Sequence, residues 1–374
     1  MKAVIMAGGK GTRLRPLTSN QPKPMIPIVN TPCMEHIVRL LKRYGFEDIL
    51  VTLEFMPEVI REYFGDGSRW GVRMDYSVEE EPLGTAGSVK YVEDRLNERF
   101  VVVSGDALTD VDLEKAVAFH EERGAEVTLV LKKVDDPSEF GIVVVDDDGR
   151  VSEFLEKPDE DEVFSYTANT GIYVVEPGVL RDIPEGQEYD WSEDQFPKML
   201  EEGRPVYGYV MEGYWEDIGN IEQYMSAQRD VLDGKVRGVS PPGEEVSKGV
   251  YVGRGVEADE ERLEGPVVLG DNVRVASGAR VGPYSVVAPN VSIDAGASVR
   301  ESTVAEGASI GQGAGLDGAL IGRSCTVGPY SRLLEGSALG DEVEVGEGVT
   351  VSPGVSVYPN QSIESGAAVT EDVS

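Results

Sequence analysis

The sequence predicts an α/β protein in which a mostly parallel sheet covered by helices is followed by a parallel β-helix. In residues 1–232 short apolar segments alternate with helix-like segments, which is typical of a parallel sheet with helices on both faces. From Leu263 to Val369 an aliphatic residue recurs at nearly every sixth position, the period of a hexapeptide solenoid. We therefore predict a first domain at 1–232, a linker at 233–249 and a β-helix at 250–374.

The first domain is expected to place its ligands at the carboxyl ends of its strands, as parallel α/β sheets do. Strands are predicted at 3–7, 49–53, 100–104 and 127–131, and helices at 32–44, 57–64 and 111–123. The glycine-rich segment after Ala7 and the Gly105-Asp106 turn each follow one of these strands. Both segments should therefore lie at the ligand-binding edge of the sheet.

The second domain repeats one inward aliphatic residue per hexad, and Gly often follows that residue at a corner. The inward positions are Leu263, Leu269, Val275, Val281, Val287, Ile293, Val299, Val304, Ile310, Leu316, Ile321, Val327, Leu333, Leu339, Val345, Val351, Val357, Ile363 and Val369. Two steps of five residues interrupt the period, before Val304 and before Ile321. The register still holds at Val369, so the chain is either complete or the front part of a longer protein.

Charge is distributed unevenly along the chain. The formal net charge is -34, with 68 Asp and Glu against 34 Lys and Arg, yet the first acidic residue is Glu35. The segment before Glu35 contains only basic charges, grouped around a glycine loop and a Pro-Lys-Pro sequence. A local cationic pocket in an acidic protein indicates an anionic ligand, and bare backbone N–H groups beside Lys and Arg suit a polyphosphate. The acidic remainder fits either a well-solvated surface or adaptation to high salt.

Composition also excludes several classes of protein. Cys33 and Cys325 are the only cysteines, which rules out a disulfide framework and fits a cytoplasmic protein. No apolar segment has the length of a membrane span. No basic stripe is present to neutralise nucleic-acid phosphates, so neither nucleic acid nor a membrane is an expected partner.

A series of motifs resembles the sugar-1-phosphate nucleotidyltransferases, the nucleotide-sugar pyrophosphorylases. The glycine loop by itself matches neither the dinucleotide fingerprint nor the P-loop. The segments that carry the resemblance are 7–18 (AGGKGTRLRPLT), Pro22-Lys23-Pro24, 81–87 (EPLGTAG), Ser104-Gly105-Asp106, 140–143 (FGIV), Glu156-Lys157-Pro158, Asn169-Thr170-Gly171 and 215–219 (WEDIG). They fall in family order, and with the hexapeptide domain included the resemblance covers the whole chain. The likeness is strongest to mannose-1-phosphate guanylyltransferases.

This resemblance implies a Rossmann-like nucleotidyltransferase domain followed by a left-handed parallel β-helix. It also implies attack of a sugar 1-phosphate on the α-phosphorus of a nucleoside triphosphate, with Mg²⁺ as cofactor and pyrophosphate as leaving group. The expected pair is GTP and mannose 1-phosphate. Uridylyl, thymidylyl or adenylyl transfer to glucose 1-phosphate is the alternative within the same class.

The resemblance further implies a role for each residue of the motifs. Arg13 and Lys23 would be catalytic, and Asp106 and Asp217 would hold the metal. The sugar phosphate would bind Gly141, Glu156, Lys157 and Asn169. The nucleotide would bind Ala7, Gly8, Gly9, Gly11, Thr12, Glu79, Gly84 and Thr85. Taken singly, several of these residues have a structural alternative: Asp106 could cap the following helix, Asp217 could lie in a turn, and Trp215 could belong to the core.

The identity of the base is predicted from Glu79-Glu80-Glu81. An ionised carboxylate accepts two hydrogen bonds, from N1–H and N2–H₂ of guanine, a donor pattern that thymine and adenine lack. We expect Glu79 to read guanine in this way. An acidic surface loop is the alternative interpretation of the three glutamates.

Two other functions are weighed against this one. Acyl transfer on a β-helix of the related bifunctional enzymes uses a histidine base, but His36 and His120 are the only histidines and both precede residue 250. A catalytically silent regulatory subunit would be expected to have lost a cationic or metal-binding residue, and all of those residues are present. The β-helix is instead predicted to serve assembly or regulation, giving a homo-oligomer, because its end coils expose unpaired strands.

Overall fold

The computed structural model describes the backbone of residues 1–374 and every side chain except that of Glu160. The chain divides into two compact units. The first unit contains Met1–Gly9 and Cys33–Asp217, and the second contains Lys10–Pro32 and Ile218–Ser374. The predicted division into 1–232, 233–249 and 250–374 follows the order of the chain and stays a prediction.

The elements before the β-helix alternate as the sequence predicts. The helices are α1 Cys33–Arg43, α2 Pro57–Phe64, α3 Gly84–Lys90, α4 Leu113–Arg123, α5 Phe196–Glu201 and α6 Ile221–Leu232. The strands are β1 Lys2–Met6, β2 Pro27–Ile28, β3 Thr31–Pro32, β4 Asp48–Leu53, β5 Arg73–Val78, β6 Phe100–Ser104, β7 Ala107–Thr109, β8 Val127–Lys133, β9 Ile142–Val145, β10 Val151–Leu155, β11 Thr167–Val175, β12 Val206–Val210 and β13 Trp215–Asp217. Every element that the sequence predicts is confirmed, with its ends shifted by at most two residues.

The large sheet of the first unit is parallel at one side and mixed at the other. Strands β6, β1, β4 and β5 lie side by side and parallel. Strand β11 enters antiparallel between β6 and β8, and the β9–β10 hairpin joins it. Apolar residues fill both faces of the central strands, as in Val4 and Val102, which are fully buried. The parallel side was predicted; the antiparallel pairing of β11 was not.

The second unit contains the β-helix. Among the described residues, the strands after 243 form three sheets. The first sheet contains β14 Glu244–Ser247, β15 Val250–Val252, β16 Val267–Leu269, β19 Ser285–Val287, β22 Thr303–Val304, β25 Leu320–Ile321, β28 Ala338–Leu339 and β31 Ser356–Val357. The second contains β17 Arg274–Val275, β20 Ser292–Ile293, β23 Ser309–Ile310, β26 Thr326–Val327, β29 Glu344–Val345 and β32 Ser362–Ile363. The third contains β18 Arg280–Val281, β21 Ser298–Arg300, β24 Gly315–Asp317, β27 Arg332–Leu333, β30 Thr350–Val351 and β33 Ala368–Val369.

The chain returns to the same sheet every third strand from β16 onward, with parallel pairing throughout, consistent with the left-handed β-helix that the resemblance implies. Strand β14 lies inside the predicted linker and pairs antiparallel with β15. The predicted aliphatic positions form one continuous core, in which Val299, Ile310 and Leu333 are fully buried. Cys33 and Cys325 are buried free thiols, and no helix among the described residues is long and apolar enough to cross a membrane.

Replacing an inward residue of the β-helix should destabilise it. Ile310→Ala removes a fully buried side chain, and we expect the free energy of unfolding to fall by about 2–5 kcal/mol in urea titration. Thr326→Ala is the matched control, because Thr326 is exposed and pairs with the residue before Ile310. Its effect should stay within about 0.5 kcal/mol. Equal losses in the two variants would contradict the inward assignment.

Candidate active site

The predicted nucleotide-binding edge of the first unit is created by the register of three parallel strands. Met6 lies opposite Thr52 and Ser104, so β1, β4 and β6 end at the same level. The Gly105 N–H donates to the Met6 carbonyl at 2.9 Å. A methyl group on Gly105 would lie 3.1 Å from that carbonyl oxygen, a contact that would require the backbone to shift slightly. The segments after Ala7 and after Ser104 therefore meet at one edge, as predicted.

In the loop after β5, Glu79 makes a hydrogen bond across the loop and Gly84 allows a close approach to the backbone of Tyr189. The Glu79 carboxylate accepts a hydrogen bond from the Leu83 N–H at 3.0 Å. Gly84 has a φ of +70°, and a methyl group on it would lie 2.7 Å from the Tyr189 carbonyl oxygen. That oxygen accepts hydrogen bonds from the N–H groups of Ala86 and Gly87, at 3.0 and 2.9 Å. Only glycine satisfies both the left-handed backbone and the close approach.

Glu79 has an unusual proton affinity for a carboxyl group. Burial of the side chain, together with the smaller effect of the negative charge of Glu54, raises its pKa to about 7 against the opposing hydrogen bond from the Leu83 N–H. Glu79 is half-buried, whereas the neighbouring Glu80 is exposed. Of the glutamates at 79–81, Glu79 is therefore the one in a protected environment, which supports a role beyond surface solvation.

Of the two predicted metal ligands, Asp217 lies in β13 and Asp106 lies in the turn between β6 and β7. Strand β13 pairs antiparallel with β7, and Asp217 is opposite Ala107, the residue after Asp106. The Ser104 hydroxyl donates a hydrogen bond to the Asp106 carboxylate. Two adjacent carboxylates suit Mg²⁺, which takes one or two protein carboxylates and completes its shell with phosphate oxygens and water. Among the described residues, no group of three or more His, Cys, Asp or Glu side chains is arranged to hold a metal ion.

The structural alternatives for these motifs can now be judged. The residue that caps α4 is Asp112, whose side chain accepts from the Lys115 N–H at 3.1 Å, so Asp106 does not cap that helix. Asp217 lies in a strand and not in a turn. Trp215 is buried, and its indole N–H donates to the Thr170 carbonyl at 3.1 Å, so it is a core residue that also ties β13 to β11.

The four residues predicted to bind the sugar phosphate are brought together by β9, β10 and β11. The Asn169 N–H donates to the Gly141 carbonyl at 2.7 Å, and the Lys157 N–H donates to the Phe140 carbonyl at 3.1 Å. A methyl group on Gly141 would lie 2.6 Å from Glu156 Oε2. Lys157 Nζ lies 3.6 Å from Glu156 Oε1 and its side chain is 61% exposed, so it remains accessible to an anion.

Asn169 is hydrogen-bonded to residues that the sequence analysis did not include in the site. It is only 9% exposed, and its Nδ2 donates to the Tyr173 hydroxyl at 3.0 Å and to the Ser192 hydroxyl at 3.2 Å. Asp190 caps the turn that contains Ser192, accepting from the Ser192 N–H at 2.7 Å. The only signal in the sequence was Asp before an apolar residue, which is typical of a helix start and not of a ligand site.

Burial raises the pKa of the Glu156 carboxyl, and the charge of Asp190 raises it further, while Lys157 and Ser192 oppose the shift. Asp190 also accepts from the Thr85 hydroxyl at 2.5 Å, and Thr85 accepts from the Trp191 N–H at 3.0 Å. Because Thr85 is a predicted nucleotide ligand and Glu156 a predicted sugar ligand, the segment at 189–192 links both sets of residues.

Ala7, Gly8 and Gly9 belong to the first unit, and Gly11, Thr12, Arg13 and Lys23 belong to the second. Gly11 has a φ of +60°, and a methyl group on it would lie 2.9 Å from Lys23 Cβ. The Thr18 hydroxyl donates to the Gly11 carbonyl at 2.7 Å, which closes the loop that carries Thr12 and Arg13. Lys23 is only 9% exposed, and its Cβ and Cγ lie close to Gly11. The cationic loop is thus compact and built around a glycine that cannot be replaced without strain.

Comparison with known proteins identifies the family of this chain. Residues 2–234 match the family described as nucleotidyl transferase, which is more than half of the chain. The chain belongs to the nucleotidyl transferase family. Residues 263–373 match the family described as GMPPB C-terminal domain. The sequence-based assignment to this family and to a two-part fold is therefore confirmed.

Individual relatives differ in their stated activity. A UTP–glucose-1-phosphate uridylyltransferase of Synechocystis is 42% identical over 342 residues, covering 87% of this chain and 88% of the relative. A mannose-1-phosphate guanylyltransferase of Mycobacterium tuberculosis is 38% identical over 302 residues, covering 74% and 81%. A crystal structure of HddC from Yersinia pseudotuberculosis complexed with GMP-PN matches with a TM-score of 0.53 and 26% identity, covering 61% of this chain and 98% of that one.

Gly84 offers a direct test of the loop at 79–90. Gly84→Ala places a methyl group at a positive φ and against the Tyr189 carbonyl, so we expect a loss of about 1–3 kcal/mol of stability. The Michaelis constant for the nucleotide should also rise, because the loop must move. Gly178→Ala is the control, since a methyl group there meets nothing within 4 Å. Thermal unfolding and steady-state kinetics of both variants would check this, and a neutral Gly84→Ala would contradict the account.

Proposed function

We propose that this protein transfers the guanylyl group of GTP to mannose 1-phosphate, releasing pyrophosphate and forming GDP-mannose. The observation that supports it most is the pairing of β13 with β7, which sets Asp217 opposite the residue after Asp106, together with the cluster of Gly141, Glu156, Lys157 and Asn169. The relatedness to mannose-1-phosphate guanylyltransferases supports the choice of base and sugar.

The reaction brings two anions together, so its main requirements are charge neutralisation and alignment. An oxygen of the sugar phosphate forms a bond to the α-phosphorus, and the bond from that phosphorus to the bridging oxygen of pyrophosphate breaks. Lys157 would bind the sugar phosphate, Lys23 the phosphates at the reacting centre, and Arg13 the leaving pyrophosphate. Asp106 and Asp217 would hold Mg²⁺, which supplies positive charge to the phosphate oxygens. No protein nucleophile is needed.

Glu79 would select the base. In its ionised form it accepts from both guanine donors, and its buried position protects these hydrogen bonds from water. In its protonated form the same carboxyl offers one donor and one acceptor, a pattern that matches the N3–H and a carbonyl of uracil. The uridylyltransferase relative at 42% identity makes UTP and glucose 1-phosphate the second candidate pair.

We further propose a homo-oligomeric, cytoplasmic protein. The solenoid ends in strands that have a free edge, and a second copy or another surface of the same chain would cover it.

The substrate pair can be determined by measuring pyrophosphate release from the purified protein with Mg²⁺. GTP, UTP, dTTP, ATP and CTP would each be combined with mannose, glucose and N-acetylglucosamine 1-phosphates, at low and at molar salt. We expect the highest kcat/KM for GTP with mannose 1-phosphate. A maximum for UTP with glucose 1-phosphate would keep the mechanism and overturn the specificity. The absence of pyrophosphate release with every pair at both salt concentrations would favour a regulatory subunit that only binds nucleotide-sugars.

The role of Glu79 predicts a pH dependence with a definite sign. Since its pKa is raised to about 7, a proton occupies the carboxyl below that pH, and guanine requires the ionised form. The KM for GTP should therefore rise as the pH falls below 7, approaching about tenfold per pH unit. Glu79→Gln should abolish both this slope and the preference for GTP over UTP. The control Glu80→Gln should change neither, and an unaltered GTP preference in Glu79→Gln would refute the assignment.

A further inference from the structure

The second unit contains a contact between the segment that carries Lys23 and the β-helix. Lys23 begins a short turn in which the Ile26 N–H donates to the Lys23 carbonyl at 3.1 Å. The turn leads directly into the hairpin of β2 and β3, whose reversal is made by Val29 and Asn30. Only Pro24, Met25 and Ile26 separate Lys23 from the hairpin. Because this connection is short, contacts that fix the position of the hairpin also restrict the position of Lys23.

The backbone conformation of the hairpin turn is energetically unfavourable. Val29 and Asn30 both have positive φ, at 44° and 63°. Asparagine tolerates this region, but a β-branched valine rarely adopts it, because its Cβ crowds the backbone. Val29 is also fully buried. A buried valine in this conformation persists only where surrounding contacts hold the turn.

Helix α6 supplies one set of these contacts. The Val29 N–H donates to Gln228 Oε1 at 2.6 Å, and the Tyr224 hydroxyl donates to the Pro27 carbonyl at 3.0 Å. Gln228 Nε2 donates to the Tyr224 hydroxyl at 2.9 Å, and Gln228 is only 3% exposed. Gln228 thus satisfies a buried backbone N–H that would otherwise be unpaired.

The β-helix supplies the second set. Asn30 Nδ2 donates to the Val287 carbonyl of β19 at 2.9 Å. Gln228 Nε2 also approaches the hydroxyl of Thr303, the first residue of the neighbouring strand β22, at 3.4 Å. The hairpin is therefore hydrogen-bonded to α6 and to one coil of the β-helix, and α6 itself contacts the next coil through Gln228.

We propose that the β-helix positions Lys23 for catalysis, and that Gln228 and Asn30 are the positioning residues. The proposal rests on the proposed function in one respect, the catalytic role of Lys23. On this view the β-helix is a supporting part of the active centre as well as an assembly module. Small displacements of a catalytic group cost about 10–100-fold in rate, so loosening the hairpin should lower kcat more than it raises KM.

The test uses the full chain with two substitutions. Gln228→Met keeps the length of the side chain and removes its hydrogen bonds. Asn30→Gly keeps the positive φ and removes the contact to Val287. Hydrogen exchange of the segment 22–32 should accelerate in both variants. It should stay unchanged in Glu301→Gln, which loses the ion pairs of Glu301 with Arg229 of α6 and with Arg300 and leaves the hairpin contacts intact. Unchanged exchange in 22–32 would overturn the proposal whatever the substrates are.

A double-mutant cycle tests the link to Lys23. With the best substrate pair, kcat should fall about tenfold or more in Gln228→Met and Asn30→Gly, and it should fall no further when either is added to Lys23→Ala. Independent, multiplicative losses would show that the two residues act on stability and not through Lys23, which overturns the proposal. A wild-type kcat in Lys23→Ala would refute the role of Lys23 in the proposed function, and the exchange result would still decide whether the β-helix holds the hairpin.

Discussion

The register of β1 between β4 and β6 is the constraint on which the arrangement of the first unit depends. Because Met6, Thr52 and Ser104 lie side by side, the segments that follow them emerge at one edge of the sheet. A shift of one residue in any of these strands would turn its side chains to the opposite face. The register is held by burial on both faces of the strands, so the stability of the core and the placement of the strand ends have the same physical origin.

Around this edge, close backbone approaches are made by glycines at positions where a Cβ does not fit. Gly84 lies against the Tyr189 carbonyl, and Gly141 lies against the Glu156 carboxylate. The segment at 189–192 then joins the loop at 79–90 to Asn169 by hydrogen bonds through Thr85, Asp190 and Ser192. The loop at 79–90 and Asn169 are therefore parts of one hydrogen-bonded framework, so a movement of the loop should also displace Asn169.

The β-helix follows a different physical rule. Its stability comes from a column of aliphatic residues that each coil contributes to the same core, so it grows by repetition. Such a column is stiff, and it offers backbone carbonyls at fixed positions on its outer surface. In the second unit one of these carbonyls, that of Val287, accepts a hydrogen bond from the hairpin that follows Lys23. This hydrogen bond to a rigid solenoid stabilises the hairpin, whose own turn conformation is unfavourable.

The sequence by itself determined seven elements of the first domain and the hexad core of the β-helix, and it predicted the chemical class of the site. Periods of two, 3.6 and six residues are local properties, and so are the glycine loop and the absence of carboxylates before Glu35. The order of the motifs along the chain then indicated the family by resemblance, and the match of residues 2–234 to the nucleotidyl transferase family confirmed it. The order of β11 in the sheet, the contacts of Asp190 and Ser192, the raised pKa of Glu79 and the hairpin held by Gln228 required the tertiary structure. Each of these depends on residues far apart in the chain, and no local pattern encodes which distant backbone group will lie beside a given side chain.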